Sequence, residues 1–377
     1  VVGDTGCGKS TQLPQFVLEE YCRRGYGGQC NIIVTQPRRV AAVSIARRVA
    51  EERGESVGDT VGYSVRLDKC PPRDDGGILF CTTGVLLQRL RAATGDRVDG
   101  RIDAEEPLQK ITHVFIDEAH ERSLDSDFLL SILIEKIPDL PNLRIVVMSA
   151  TIQSGRFSDY LGRAPVLEIP GRTFPVDAHY LEDLAQELPR GADHALRSAW
   201  MESQDPKQGS GGRFRGEFHP NNIPYLLLVE AVCNVHVRNM EEHGGGVGLG
   251  GAVLVFLPGW NEIETTRNLL LERLAHERLA DSITVCVLHS NMSVDEQQEA
   301  FRPPRRGTRK VVLSTNIAET SVTIDDVVFV VDSCLVRENV YDAARNTSAL
   351  LTQFASLASL RQRRGRAGRV RHGVVYH

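Results

Sequence analysis

A glycine-rich segment at the start of the chain constrains its fold more than any other feature. The residues Gly3-Asp4-Thr5-Gly6-Cys7-Gly8-Lys9-Ser10-Thr11 fit the pattern G-x-x-x-x-G-K-[ST]. In this pattern, backbone N–H groups surround phosphates, the lysine reaches the β and γ oxygens, and the hydroxyl supplies a ligand to Mg²⁺. The pattern requires a strand before it and a helix after it. It therefore predicts an α/β fold with a triphosphate site built from Gly3, Thr5, Gly6, Gly8, Lys9, Ser10 and Thr11.

Strand-like and helix-like patterns alternate along the rest of the chain. In the first half, apolar runs such as 31–34, 78–81 and 111–116 are each followed by a helical pattern. This alternation predicts a mostly parallel sheet flanked by helices, with ligands at the carboxyl ends of its strands. A second alternation begins at 253–257, so a second α/β core is expected.

The proline- and glycine-containing segment 170–175 is the expected boundary between the two cores. We accordingly predict a first domain over 1–170 and a second over 171–377. Two polar, glycine-rich stretches at about 202–222 and 244–251 are interpreted as insertions within the second domain. Only the end of a strand precedes the glycine-rich segment, so the chain is expected to be a piece of a longer protein or a domain cut at its boundary.

Composition narrows the class of protein. The 377 residues are 41% hydrophobic and 25% charged, which is typical of globular domains, and the net charge of −5 argues against a uniformly basic nucleic-acid binder. The eight cysteines form no C-x-x-C pair, so we expect reduced thiols without bound metal and an intracellular location, without distinguishing cytoplasm from nucleus. No apolar run reaches membrane-spanning length, and no membrane partner is expected.

An acidic pair follows the apolar run that ends at Ile116. Mg²⁺ prefers hard carboxylate oxygens near phosphates, so Asp117 is the expected metal partner together with Ser10. Glu118 is placed to orient and deprotonate an attacking water. The alternative is a helix cap favoured by the helix dipole.

Six further segments accompany the glycine-rich loop and the tetrapeptide Asp117-Glu118-Ala119-His120. They are Thr35 to Ala42, Thr82 to Gly84, Ser149 to Thr151, Phe256 to Gly259, Ser314 to Asp325 and Gln362 to Arg369. In type and order these segments resemble motifs Ia, Ib, III, IV, V and VI of the DEAH-box helicases of helicase superfamily 2, and the tetrapeptide matches the motif that names that family.

The resemblance implies two tandem RecA-like domains that close on a nucleoside triphosphate and grip a single nucleic-acid strand. ATP and Mg²⁺ are the implied cofactors, and single-stranded RNA bound without sequence preference is the implied partner. Arg366 and Arg369 would act as arginine fingers, which stabilise charge on the transferred phosphoryl group, and Gln362 would order water at the γ-phosphate. Arg363 and Arg364 could instead pair with acidic neighbours, and a basic helix face remains the alternative for the whole motif.

Further roles come from the same resemblance. The implied base-stacking pair is Arg48 and Phe301, with a core aromatic as the alternative for Phe301, and Asp325 belongs to the nucleotide site. The implied coupling residues are His120, Ser149 and Thr151. The implied RNA contacts are Arg38, Arg39, Thr83 and Gly84 in the first domain and Thr320 and Ser321 in the second. Complete members of this family continue after motif VI into winged-helix, helical-bundle and OB-fold domains. The chain is therefore expected to be the two-domain motor part of such a protein.

Three functions remain open at this point. The first is an ATP-dependent RNA helicase motor, with protein activators as possible partners. The second is an RNA-binding scaffold or sensor whose nucleotide cycle switches partners without productive unwinding. The third is a DNA translocase of the same superfamily, since contacts to the 2′-OH cannot be inferred from Thr83 or Thr320.

Overall fold

The structure, a computed structural model, describes residues 1–4, 6–93, 108–150, 154–171, 174–187, 220, 223–242, 250–319, 324, 326–343 and 346–377. The chain divides into two compact units, Val1–Arg172 and Thr173–His377. Each unit has its own sheets and its own apolar core.

The first unit alternates strands and helices along the sequence. Its strands are β1 (Val2–Gly3), β2 (Asn31–Gln36), β3 (Val61–Val65), β4 (Asp68–Cys70), β5 (Gly77–Thr82), β6 (His113–Ile116), β7 (Arg144–Val147) and β8 (Glu168–Ile169). Its helices are α1 (Lys9–Arg23), α2 (Arg39–Arg53), α3 (Thr83–Ala93), α4 (Leu124–Lys136) and α5 (Ser154–Tyr160).

The main sheet of the first unit has six strands in the order β4-β3-β5-β2-β6-β7. All neighbours are parallel except β3 and β4. Strands β2, β3, β5 and β6 are buried almost throughout, as expected where helices cover both faces of a sheet. Because these strands run in one direction, the segments that follow β2, β5 and β6 meet at one edge of the sheet.

The strand that precedes the glycine-rich loop lies outside the six-stranded sheet. Strand β1 pairs in parallel with β8, and Val2 forms a bridge with Ser149. The amide of Gly3 donates to the Ser149 carbonyl at 3.2 Å, and the amide of Ser149 donates to the Val1 carbonyl at 3.0 Å. The glycine-rich loop is therefore anchored directly to the segment that follows β7.

The second unit repeats the same design. Its strands are β9 (Val176–His179), β10 (Ala252–Phe256), β11 (Ile283–Leu288), β12 (Arg309–Ser314), β13 (Val327–Asp332), β14 (Leu335–Asp342), β15 (Thr347–Phe354) and β16 (Gly373–Tyr376). Its helices are α6 (Leu181–Glu187), α7 (Tyr225–Glu242), α8 (Trp260–His276), α9 (Val294–Gln298) and α10 (Leu357–Arg364).

Six parallel strands in the order β11-β12-β10-β13-β16-β9 form the main sheet of the second unit. Helices α7 and α8 pack their apolar sides against this sheet, and the core includes Leu228, Val232, Leu270 and Leu313. The alternation in the sequence thus predicted both mostly parallel sheets correctly. The sequence did not predict that β14 and β15 form a separate antiparallel hairpin, in which β15 is largely exposed.

A buried histidine in the first unit makes stability depend on pH. His113 lies on β6, edge-on to the Tyr21 ring, with Nδ1 2.9 Å from the Thr112 hydroxyl oxygen. Burial, reinforced by the nearby charge of Arg144, lowers the pKa of His113 to about 4.

The described residues contain no helix long and apolar enough to cross a membrane.

We expect the free energy of unfolding to fall as the pH is lowered from about 6.5 towards 4. Across this window the unfolded chain binds a proton at residue 113 while the folded chain does not, which costs up to about 3 kcal/mol. In His113→Gln that part of the pH dependence disappears. Denaturant titrations at several pH values measure it, and an unchanged slope in the variant would contradict the assignment.

Candidate nucleotide site

The glycine-rich loop of the first unit folds around the Lys9 side chain. Gly6 and Gly8 both have φ of +89°, in the left-handed region that favours glycine, and Gly8 lies immediately before α1. The Lys9 ammonium donates to the carbonyl oxygens of Gly3 at 2.5 Å and Asp4 at 2.9 Å. The loop thus presents a buried cation beside the start of a helix, an arrangement that favours phosphate groups. Thr11 closes the first turn, with its hydroxyl donating to the Gly8 carbonyl at 3.3 Å.

Asp117 lies next to the loop because it directly follows β6. It is only 3% exposed, and its Oδ2 accepts hydrogen bonds from the Ser10 hydroxyl and from Gln36 Nε2, the latter at 2.6 Å. Burial, followed by the charge of Glu118, raises the pKa of Asp117, and the hydrogen bonds partly oppose this. A hydroxyl and a carboxylate in direct contact are hard oxygen donors beside a phosphate cradle, so the residues fit Mg²⁺.

Glu118 and His120 continue from Asp117 in a strained turn. Glu118 is buried and has φ of +52°, which is uncommon for a residue other than glycine. One of its oxygens, Oε2, lies 3.5 Å from His120 Nδ1. The same nitrogen accepts a hydrogen bond from the Ala150 amide at 3.3 Å. His120 is therefore held by the segment that contains Ser149 and pairs with β1, and it lies beside Glu118; a nitrogen that accepts from Ala150 cannot at the same time donate to the Glu118 carboxylate.

The remaining candidates of the first unit differ in exposure. Arg39 is exposed, whereas Arg38 forms an ion pair with Glu121 at 3.5 Å. Thr83 is buried at the start of α3, and Gly84 is exposed with open space where a side chain would begin. All four follow β2 or β5, so they share the carboxyl edge of the sheet with the glycine-rich loop. Arg48 lies elsewhere, on α2, with its Nε 2.7 Å from Glu52 Oε1.

In the second unit, Arg363 is a buried structural residue. It is 1% exposed, stacks on the Phe256 ring at 4.9 Å, and donates to Glu319 Oε2 at 3.0 Å and Asp332 Oδ1 at 2.8 Å. Of the two possibilities that the sequence offered for Arg363, pairing with acidic neighbours is the one that the structure shows. Arg364 donates instead to the Val176 carbonyl.

The other residues of this motif vary in burial. Arg366 is 3% exposed and donates to the backbone carbonyl of Glu319, so motifs V and VI are joined by two arginines. Gln362 and Arg369 are half-buried. A side chain at Gly368 would begin 2.6 Å from the Phe174 carbonyl, so this position requires glycine. The catalytic roles of Gln362, Arg366 and Arg369 stay predictions.

Phe301 is half-buried at the end of a short 3-10 turn, Glu299–Phe301. The Lys310 ammonium, 2% exposed, donates to the carbonyls of Ala300 and Arg302 at 3.0 Å each and pairs with Asp326 at 2.9 Å. Lys310 thus fixes the backbone on both sides of Phe301. Five predicted site residues lie outside the described part of the chain: Thr5, Thr151, Thr320, Ser321 and Asp325.

Two residues that support these sites were not identified from the sequence. Gln36 ends a strand already assigned to motif Ia, yet only the pairing of β2 with β6 shows that it reaches Asp117. Lys310 begins an apolar run, and nothing in its local pattern indicates that it contacts carbonyls ten and eight residues earlier.

We expect Gln36→Leu to raise the Mg²⁺ concentration needed for half-maximal nucleotide binding by about 10-fold, because it removes a hydrogen bond that orients Asp117. Titration of Mg²⁺ against a fluorescent nucleotide measures the effect. Gln29→Leu, the same change at an exposed position, is the control and should match the unaltered protein. Equal Mg²⁺ dependence in the two variants would contradict the role of Gln36.

We expect Lys310→Met to raise KM for ATP several-fold with a smaller change in kcat, because the turn that presents Phe301 loses its anchor. Steady-state ATPase assays at 25 °C measure both constants. Arg302→Met removes an exposed cation from the same turn and should leave KM unchanged. An unchanged KM in a folded Lys310→Met variant would contradict the role of Lys310 in positioning the turn for nucleotide binding.

Comparisons with known proteins agree with the geometry. The family model described as the helicase conserved C-terminal domain matches residues 237–371. The chain is 40% identical over 410 residues to the DExH-box ATP-dependent RNA helicase DExH3 of Arabidopsis thaliana, covering 100% of this chain and 32% of that protein. It is 36% identical over 408 residues to the ATP-dependent DNA/RNA helicase DHX36 of Bos taurus, covering 100% of this chain and 38% of that protein.

A solved structure is similar over the whole chain. The crystal structure of the Escherichia coli DEAH/RHA helicase HrpB superposes with a TM-score of 0.68 at 33% identity, covering 100% of this chain and 40% of that one. The chain therefore spans about a third of the length of the relatives that it matches. The order of its motifs, its two parallel sheets and these similarities establish that the chain belongs to the DExH/DEAH-box helicase family.

Proposed function

We propose that the protein is an ATP-dependent RNA helicase motor that hydrolyses nucleoside triphosphates and couples hydrolysis to movement on RNA or remodelling of RNA. The observation that carries this proposal is the contact of the Ser10 hydroxyl with Asp117 Oδ2, which joins the end of the glycine-rich loop to the acidic motif. It supports a single site for Mg²⁺ and phosphates. When bound there, Mg²⁺ would neutralise phosphate charge.

Glu118 is the proposed general base in this site. It is buried, it follows Asp117 directly, and its left-handed backbone differs from that of a regular helix cap. His120 lies beside Glu118 and accepts a hydrogen bond from the Ala150 amide. Ser149 and Thr151 complete the proposed coupling segment. We propose that protonation of His120, which would turn this nitrogen into a donor to Glu118, exchanges the contact with Ala150 for one with Glu118.

Arg366 and Arg369 are the proposed arginine fingers, and Gln362 is the proposed water-ordering residue. Arg363 has a different role, because both of its acidic partners are within the second unit. It supports motif VI as a positioning residue. Removing it would leave two buried carboxylates without their cation, which is strongly destabilising.

RNA binding is proposed at the carboxyl edge of the first sheet, through Arg38, Arg39, Thr83 and Gly84, with Thr320 and Ser321 contributing from the second unit. Contacts of this kind to the sugar-phosphate backbone carry no sequence information and weaken as salt is raised. Nucleotide bases would stack on Arg48 and Phe301, which makes few base-edge hydrogen bonds. We therefore propose tolerance of several nucleoside triphosphates.

We expect Glu118→Gln to lower RNA-stimulated kcat by about 10²- to 10⁴-fold while nucleotide binding persists, because the change removes the base but keeps the shape of the side chain. A phosphate-release assay with excess RNA measures kcat, and a fluorescent nucleotide measures binding. Glu121→Gln, a neighbouring acidic residue paired with Arg38, is the control and should retain kcat within a few-fold. Turnover like that of the unaltered protein in Glu118→Gln would refute the assignment.

Strand displacement separates the motor from the two alternatives. The full-length protein should displace a strand from a tailed RNA duplex only with hydrolysable ATP. RNA binding and ATPase without displacement would instead favour the nucleotide-switched scaffold or sensor. ATPase activity stimulated by DNA as strongly as by RNA would favour a translocase that acts on DNA. This alternative is retained because one relative, DHX36, is named an ATP-dependent DNA/RNA helicase.

A further inference from the structure

Three potential metal ligands meet at the carboxyl edge of the second sheet. Strands β13 and β16 are parallel neighbours with Val331 opposite Tyr376, so the next residues, Asp332 and His377, emerge side by side. Cys334 follows Asp332 by two positions. One ligand atom from each of the three residues lies within 4.8 Å of the other two.

The distances are close to those around one metal ion. His377 Nδ1 lies 3.6 Å from Asp332 Oδ2 and 3.9 Å from Cys334 Sγ. Ligands bound tetrahedrally to Zn²⁺ at their usual bond lengths are separated by about 3.3 to 3.7 Å. Side-chain shifts of a few tenths of an ångström would therefore bring these atoms to coordinating distances.

The Asp332 carboxylate has one satisfied and one unsatisfied oxygen. Its Oδ1 accepts from Arg363 Nη1 at 2.8 Å and from the Cys334 amide at 2.9 Å. Its Oδ2 is buried and accepts no hydrogen bond from any described residue. A buried acceptor without a donor is costly, and such atoms require an explanation. Oδ2 is also the oxygen that faces His377.

The backbone at Cys334 is strained in a way that holds its thiol in this cluster. Cys334 has φ of +58°, in the left-handed region that residues other than glycine rarely adopt. Such strain persists only where the surroundings hold it in place, and it concentrates at functional sites. Here the Asp332 carboxylate accepts from the Cys334 amide, which fixes the turn.

The cluster is also accessible. Asp332, Cys334 and His377 line a cavity of about 630 Å³ whose walls are mostly apolar, including Leu184, Leu227 and Phe354. An ion could enter through this cavity, and a water molecule in it could supply the fourth ligand.

We propose that Asp332, Cys334 and His377 bind a divalent ion that accepts mixed sulfur, nitrogen and oxygen ligands, with Zn²⁺ as the best match. Thiolate and imidazole select this class of ion over Mg²⁺, which prefers oxygen alone. Arg363 is the outer partner that orients the ligating carboxylate. Because Arg363 also binds Glu319, the ion would be connected to motifs V and VI through a single carboxylate.

The test is Zn²⁺ binding by the full-length, reduced protein in excess Mg²⁺, which saturates oxygen-only sites. Competition with a chromophoric chelator measures affinity, and Co²⁺ absorption identifies a thiolate ligand. We expect Zn²⁺ to bind at this cluster with a Kd in the micromolar range or tighter. Cys334→Gly should weaken binding at least 10-fold while the Tm without metal is unchanged or higher, because glycine relieves the left-handed strain.

Two further variants complete the design. His377→Gln should weaken Zn²⁺ binding to a similar extent, so the result does not depend on one substitution. Cys286→Ala removes another buried thiol of the second unit and should bind like the unaltered protein. The proposal is overturned if the unaltered protein binds no Zn²⁺ under these conditions, or if folded Cys334→Gly or His377→Gln binds it with unchanged affinity.

Discussion

The parallel arrangement of strands is the constraint on which the functional architecture of both units depends. Consecutive parallel strands are connected by crossover segments, which are usually helices. The segments that follow the strands therefore all lie at the carboxyl edge of the sheet. In the first unit, β2, β5 and β6 deliver motif Ia, motif Ib and the acidic motif to that edge. In the second, β12 and β13 deliver motif V and Asp332. The order and direction of the strands therefore determine which of these segments lie close together.

Buried charges then hold these segments in place. Asp117 is bound by donors from two elements, Ser10 on α1 and Gln36 on β2. Arg363 binds one carboxylate that follows β12 and one at the end of β13, and Lys310 contacts the backbone on both sides of Phe301. Removing one member of such a group leaves the others desolvated and unpaired, so each group acts as a unit. This makes the sites rigid, and it couples their positions to the stability of the fold.

Much of this organisation could be predicted from the sequence because the strands are short apolar runs with strong turn signals between them. The boundaries of β2, β5 and β10 differ from the predicted runs by one or two residues. The glycine-rich loop and the acidic pair were likewise recognisable because their chemistry depends on consecutive residues. The motifs predicted Ser10 and Asp117 as ligands of one Mg²⁺ ion, which stays a prediction; the structure shows the Ser10 hydroxyl in contact with Asp117 Oδ2.

What the sequence could not indicate were contacts that depend on register between distant segments. Pairing of β9 with β16 joins residues almost two hundred positions apart, and no local pattern encodes it. The β14–β15 hairpin was missed because it is exposed on most of its length and lacks a simple alternation. Cysteines without a C-x-x-C spacing gave no signal of a metal site, and the approach of Cys334 to Asp332 and His377 depends on the register of β13 and β16.

The left-handed backbone of Glu118 has a consequence for how this protein tolerates change. A glycine there would relieve a strain of about 1 kcal/mol and make the fold more stable, yet it would remove the carboxylate. Stability and the proposed role of Glu118 as general base thus favour different residues at one position. A screen that selects only for thermal resistance would favour glycine at residue 118, so any such screen needs a turnover measurement beside it.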